Sequence, residues 1–135
     1  MREVKYRAWD NVKNKMYQVG EEDGVVFSFD SSGILAEDLA EHDWGFKKLE
    51  HLVYMQYTGL KDKNGREIYV GDILSSVSSM QKETGRVVFD GGAFCLVILS
   101  SRTTGIGSKY FLSTCEELEV IGNIYENPEL LEVES

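Results

Sequence analysis

The side chains most able to hold a metal ion are His42, His51, Cys95 and Cys115, and their spacing does not make a site. Tetrahedral zinc sites draw on Cys-x-x-Cys pairs or on histidines one helical turn apart, and the sequence has neither pattern. No metal and no cofactor are therefore expected. Asp62-Lys63-Asn64-Gly65 has the composition of a calcium-loop fragment, but its glycine comes too early and the twelfth position of such a loop is the apolar Ile73. A turn is the simpler reading. Gly105-Ile106-Gly107-Ser108-Lys109 has the composition of a phosphate loop. Such a loop needs a glycine five residues before its second glycine, where Arg102 stands, and a lysine directly after it, where Ser108 stands. Tyr110-Phe111-Leu112 then reads as a strand, which leaves no helix N-terminus to hold the phosphates.

Covalent catalysis needs a nucleophile with a base beside it. Cys95 lies in the most apolar strand of the chain, followed by Leu96-Val97-Ile98-Leu99, and Cys115 stands among acids that disfavour a thiolate. Both read as small core residues, not as a disulfide or a nucleophile. With 23 Asp and Glu, any particular pair of carboxylates carries little information. No enzymatic activity is expected. One constellation does invite a function. Lys5, Arg7 and Trp9 alternate along a strand, and Lys13 and Lys15 follow closely. A nucleic-acid base could stack on Trp9 with cations beside it, so these five residues form the candidate interaction face. The plainer alternative is a strand face exposed to solvent or covered by a second subunit.

The charge balance weighs against nucleic acid as a partner of the whole surface. The 135-residue chain carries a net charge of −9. Residues 116–135 hold seven glutamates and no base, and residues 21–43 hold eight acids and no Lys or Arg. Residues 1–17 are the basic part, at +3. A phosphate backbone would be repelled except at a face set aside for it. The acidic runs read as solvated surface; mimicry of DNA would need a regular phosphate-like spacing, which they lack. A hydrophobic content of 42% and a charged content of 27% fit an ordinary globular domain. The opening MREVKYRAWD carries charges where an export signal needs an apolar core, and no apolar run is long enough to span a bilayer. The expected location is cytoplasmic, with no membrane partner.

The elements that must position these residues are mostly strands. Val4–Trp9 alternates, Asp10-Asn11 and Lys13-Asn14 make a turn, and Lys15–Val19 returns as a hairpin. Val25–Phe29 is a further strand. Residues 34–43, with Ile34, Leu35, Asp38, Leu39 and His42 near a helical period, predict one short helix. Leu49–Thr58 reads as a strand, and Asn64-Gly65 as a tight turn. Strands follow at Glu67–Ser76, bent at Gly71-Asp72, at Gly85–Asp90, at Ala93–Ser100, at Tyr110–Leu112 and at Leu118–Tyr125. Gly91-Gly92 joins two of them as a hairpin that sets Val87, Phe89, Phe94, Leu96 and Ile98 on one face. The second of these strands is apolar on both faces and should be covered twice. Asn127-Pro128-Glu129 spells a helix start. Short strands with regular glycine turns indicate a small barrel over residues 67–126. The chain thus reads as mainly β, with α+β character on its N-terminal side. Residues 1–66 form a hairpin-and-helix subdomain and residues 67–135 a barrel with a short C-terminal helical turn, all in one compact unit.

Three blocks also carry a likeness. Lys5–Asp10 with Lys15-Met16-Tyr17, then Met55–Tyr69 running into Gly71-Asp72-Ile73, then Glu119–Leu131, resemble the YopX family of phage and prophage proteins. Residues 18–50, 77–83 and 100–115 share no such likeness. The resemblance implies an SH3-like barrel in the C-terminal half and expression in a bacterial cytoplasm; it brings no activity and no site residues. Two functions follow from these readings. The first is a non-enzymatic accessory module that binds a phage or host protein and self-associates as a homo-oligomer. The alternative is nucleic-acid binding through the basic N-terminal face.

Overall fold

The computed structural model describes residues 5–20, 25–30, 33–38, 47–78, 81–98 and 109–131. The chain divides into two compact units, the first Lys5–Met55 and the second beginning at Gln56, where the sequence drew its line at 66/67.

In the first unit β1 (Tyr6–Asp10) and β2 (Lys15–Gln18) form the N-terminal hairpin, with Ala8 opposite Tyr17 and Trp9 opposite Met16. Asp10 closes its turn. One carboxylate oxygen accepts the N–H groups of Val12 and Lys13 at 2.9 and 3.0 Å, the mechanism by which aspartate starts turns. Next, β3 (Val25–Asp30) pairs with β4 (Gly33–Asp38), and β4 with the two-residue β5 (Lys47–Lys48). Here the structure corrects the sequence reading. The segment expected to be helical from residue 34 is strand as far as Asp38, while residues 39–43 lie outside the described residues. The apolar run Ile34-Leu35-Ala36 is too short for its period to separate helix from strand. Pairing decides it: Ile34 faces Phe29, and Ala36 faces Phe27. The described part of this unit is strand and turn, so its α+β character falls away. Ala8, Tyr17, Ala36, Leu49 and Leu52 make its core, with Phe27 edge-on to both Tyr17 and Tyr54.

Strand β6 (Val53–Lys61) runs from the first unit into the second, where it pairs with β7 (Glu67–Tyr69). The turn between them is built on Asp62, which is buried. Its Oδ1 accepts the N–H groups of Asn64 and Arg66, both at 2.9 Å, and Gly65 takes a φ of +85°. Its Oδ2 accepts the N–H of Val120 at 2.9 Å, 58 residues along the chain.

The main sheet of this unit is antiparallel and curled. It is ordered β11 (Lys109–Phe111), β10 (Ala93–Ile98), β9 (Gln81–Asp90), β8 (Asp72–Ser78), β12 (Glu116–Asn123). The Gly91-Gly92 hairpin has the register read from the sequence, with Phe94 opposite Phe89 and Leu96 opposite Val87. Strand β10 is interior and covered on both faces: Leu96 and Ile98 are buried in the core, and Cys95 is buried on the other side. A single 3-10 turn, Leu112–Thr114, precedes β12, which returns to pair with β8. Ile68, Leu74, Val87, Leu96, Ile98, Leu112 and Val120 form the core. Past β12, Asn123 accepts the N–H groups of Tyr125 and Glu126, and the final 3-10 turn begins at Pro128. Gly122 lies against this cap: a Cβ there would fall 2.6 Å from the side-chain oxygen of Asn127.

Truncating Asp62 leaves three backbone N–H groups without their acceptor, and an unsatisfied buried donor costs about 1–3 kcal/mol. Asp62→Ala is expected to lower the unfolding free energy by about 3 kcal/mol in urea denaturation, with the midpoint falling and the slope unchanged. A loss under about 1 kcal/mol would mean that water replaces the carboxylate at all three donors. Gly122→Ala should also destabilise, by about 1–3 kcal/mol, because the Asn127 cap must move aside.

Candidate functional site

The five residues of the sequence-derived interaction face do not fall together. Arg7 and Trp9 share one face of the β1–β2 hairpin, opposite Gln18 and Met16. Lys15 stands opposite Asp10 on the other face, its ammonium 4.9 Å from the centre of the Tyr17 ring. Lys13 and Lys15 are exposed, Lys5 and Arg7 half-buried, and Trp9 is only 7% exposed. A ring so covered offers little area for a base to stack on.

Beneath this hairpin lies a buried polar cluster. Asp10 is fully buried, and beyond its turn contacts it meets the Nε2 of His51 at 2.7 Å and accepts the Tyr17 hydroxyl at 3.3 Å. Burial pushes the carboxyl up. The backbone N–H of Lys13, the His51 ring and the N–H of Val12 outweigh that effect and hold it below its ordinary value. His51 is thereby used as a structural partner of Asp10. His42 lies outside the described residues, and among those described no three His, Cys, Asp or Glu side chains gather as a metal site. The calcium-like fragment at Asp62 is the turn described above, both its oxygens taken by backbone. Of the phosphate-loop-like run only Lys109 is described, on β11, where its ammonium bonds the carboxylate of Asp90.

A cavity of about 140 Å³ opens in the second unit, where the inner face of the curled sheet runs out of apolar residues. Ser76 and Glu83 face each other across β8 and β9, next to the core positions Leu74 and Gly85. Ile98 forms the apolar floor, Tyr110 comes from β11, and Thr114, Cys115 and Glu116 close it. The Ser76 hydroxyl donates to the Glu116 carbonyl at 3.0 Å, fixing β8 to the start of β12. Burial pushes the Cys115 thiol up, and Cys95 and the Glu83 carboxylate push it further. The thiolate is therefore disfavoured, and the cavity is suited to binding a group rather than attacking one. A second, more apolar groove adjoins β11 on Leu60, Phe94, Phe111 and Leu112.

The two surfaces meet at an edge. Among the described residues β11 pairs with β10 alone, all three of its residues are exposed, and Phe111 reaches 62%. Two strands in, Phe89, at 55% exposure, meets Phe94 with ring centres 5.0 Å apart and planes tilted by 52°.

A family model described as YopX protein matches residues 5–132. The chain belongs to the YopX family. Its fold is similar to the crystal structure of the yopX protein from Bacillus subtilis, at a TM-score of 0.63 and 24% identity over 95% of this chain and 98% of that one. A crystal structure of a protein from Enterococcus faecalis is similar at a TM-score of 0.59 and 26% identity, over 98% of this chain and all of that one. No curated protein matches the sequence. The family likeness read from the three sequence blocks thus stands, over nearly the whole chain. Among the described residues of this YopX-family chain no helix is long and apolar enough to cross a membrane.

The sequence reading passed over Glu83. It began the strand at Gly85, whereas β9 begins at Gln81, and the same alternation carried back two residues puts Glu83 on the face of Val87. Tyr110 was read as strand without regard to its edge position, which depends on pairing across the sheet.

Asp62, like Asp10, is pushed up by burial but held lower by the N–H groups of Val120, Arg66 and Asn64 and by the Arg66 charge. Both carboxyls therefore titrate lower in the folded chain than in the unfolded one, so the stability they add is present above about pH 4 and is lost as pH falls through their folded values. Acid titration of the unfolding free energy is expected to fall below about pH 5, less steeply in Asp10→Asn. An identical slope in that variant would remove Asp10 as a source of the acid sensitivity.

Proposed function

We propose that this chain is a non-enzymatic protein-interaction module of a bacteriophage or prophage, acting in the bacterial cytoplasm. We also read its curled five-stranded sheet as an SH3-like barrel. The meander β8 to β11, the 3-10 turn at Leu112–Thr114 and the return of β12 to β8 support that reading of the fold. The phage setting draws its support from the family membership.

The observation that carries the binding role is Lys109–Phe111, an exposed strand that is the edge of its sheet among the described residues. An edge strand is a template for a further strand, and many modules bind extended segments in this way. Lone exposed apolar residues need no explanation. Here Phe111 and Tyr110, neighbours on one edge strand, are 62 and 45% exposed. Catalysis draws less support: burial pushes up the Cys115 thiol of the cavity next to this edge, which disfavours the thiolate a nucleophile needs. Nucleic-acid binding through Lys5, Arg7, Lys13 and Lys15 also draws less, since Trp9 is buried and Lys15 is on the other face from Arg7.

Tagged wild-type chain and its Phe111→Asp variant, each used to capture partners from host lysate with and without nuclease, test the proposal. A phage or host protein is expected to be retained in both nuclease arms and reduced at least tenfold by the substitution. The melting temperature should be unchanged, because the Phe111 side chain is mostly in water already. Capture of a second copy of the chain through the same edge would give the homo-oligomeric form. Retention that disappears with nuclease, or that ignores Phe111→Asp, would overturn the reading.

A further inference from the structure

The turn that carries the Asp62 clamp also contains the least durable pairing in a polypeptide, an asparagine followed by a glycine. The backbone nitrogen of the second residue attacks the side-chain carbonyl carbon of the first. The hydrogen it carried leaves with the side-chain nitrogen as ammonia, and a five-membered imide remains. Water then opens the imide at either carbonyl, giving aspartate or, with the main chain rerouted through Cβ, isoaspartate. A side chain on the second residue crowds the attack, and glycine has none. Of the five asparagines Asn64 alone precedes a glycine. Asn11, Asn14 and Asn123 precede Val12, Lys15 and Ile124, and Asn127 precedes Pro128, whose nitrogen has no hydrogen. We propose that Asn64 is a modification site built into the fold: its spontaneous conversion to isoaspartate releases the Asp62 clamp, and the clamp in turn sets how fast that conversion runs. The folded chain then has a limited lifetime, written into one turn. This goes beyond the interaction-module reading and does not depend on it.

Three observations carry it. The first is access. Asn64 is exposed, and among the described residues its side-chain amide makes no hydrogen bond, so its carbonyl carbon is open to attack. Asn123 and Asn127, by contrast, hold backbone N–H groups of the C-terminal cap with their side-chain oxygens. The second is control. The Gly65 N–H, whose nitrogen must attack, donates to the Asp62 carbonyl at 3.0 Å. It lies inside a turn whose Asn64 and Arg66 N–H groups are both held by Asp62 Oδ1. The closed turn withholds the nucleophile, and conversion runs through its local opening. The third is consequence. Oδ1 of Asp62 spans the bond that changes, accepting at 2.9 Å from Asn64 on one side and from Arg66 on the other. Isoaspartate inserts a methylene into the main chain between those two donors, which then no longer converge on one oxygen. It also leaves a carboxylate beside the buried Asp62, and like charges disfavour each other. What is released is the register of β12, because the other oxygen of Asp62 holds the N–H of Val120.

The test is to age the full chain in mildly alkaline buffer and follow it by peptide mass spectrometry, with isoaspartate counted by enzymatic methylation from S-adenosylmethionine. Conversion is expected at Asn64 at least tenfold faster than at Asn11, Asn14, Asn123 or Asn127, with isoaspartate the main product. The urea midpoint of the aged chain should fall in step with conversion. That of equally aged Asn64→Gln should stay where it began, since glutamine would have to close a larger and slower ring. Asp62→Ala should speed conversion at Asn64 at least fivefold. If that variant does not fold, the wild-type chain in urea below its unfolding transition should show the same acceleration, because urea favours the open turn. Conversion no faster at Asn64 than at the other asparagines would overturn the proposal. So would aspartate as the sole product, a midpoint unmoved by conversion, or a rate indifferent to loosening of the turn.

Discussion

The carboxylate of Asp62 is the constraint on which the second unit hangs. Three backbone N–H groups converge on its two oxygens, two from its own turn and one from Val120 on the last strand. The local pair could be supplied by any turn-forming aspartate. The third bond is different in kind, because it fixes how far β12 slides past the β6–β7 turn. The N–H of Lys63 donates to the Leu118 carbonyl and the guanidinium of Arg66 reaches that of Val120, so the same few residues are clamped from both sides. Val120 is a core residue, and β12 carries register shifts on both sides of the Glu119–Val120 pair, with Glu117 at a φ of +53°. A strand so interrupted would slip easily if its ladder were all that held it. The buried carboxylate pins it, and with it the 3-10 turn and β11 further back.

The first unit uses the same device with different partners. Asp10 collects two N–H groups of its turn, the Tyr17 hydroxyl and the His51 ring. Both aspartates are buried and both are read by backbone donors, which are rigid and hold little water. In each case the cost of burial is outweighed by hydrogen bonds to the charged form. Among the described residues this chain rich in acids thus buries Asp10, Asp62 and Asp72 on backbone N–H groups, while Glu50, Asp90, Glu116, Glu117, Glu126 and Glu129 are exposed.

How much of this was legible in the sequence depended on range. Asn64-Gly65 and Gly91-Gly92 identified their turns, and the second gave the register of two strands, because a two-residue hairpin leaves no freedom. Pro128 marked the final turn for an equally local reason. Residues 34–38 were misread because helix and strand compete evenly over so short an apolar run, and the deciding partner, Val25–Asp30, acts through pairing. The charged face at Lys5, Arg7 and Trp9 was sound as alternation, yet alternation alone does not say which face is covered; Trp9 turned out buried. The cavity was illegible for a stronger reason. Ser76, Glu83, Tyr110 and Cys115 come from four separate segments, and only the curl of the sheet assembles them.

The division between legible and illegible follows the division between scaffold and surface. The blocks that carry the family likeness are consumed by structural bonds: Asp62, Asn64 and Arg66 in the clamp, Asp72 on the N–H of Tyr69, Gly122, Asn123 and Asn127 in the last cap. Hydrogen bonds of that kind use up the donors and acceptors that recognition would need. The cavity instead takes Val77, Glu83, Tyr110, Thr114 and Cys115 from the stretches 77–83 and 100–115, which lie outside those blocks, and Phe111 comes from there too. The family match over residues 5–132 takes in scaffold, cavity and edge strand alike, so what separates them is physical: the scaffold residues are joined by buried hydrogen bonds, and these cavity and edge side chains are not.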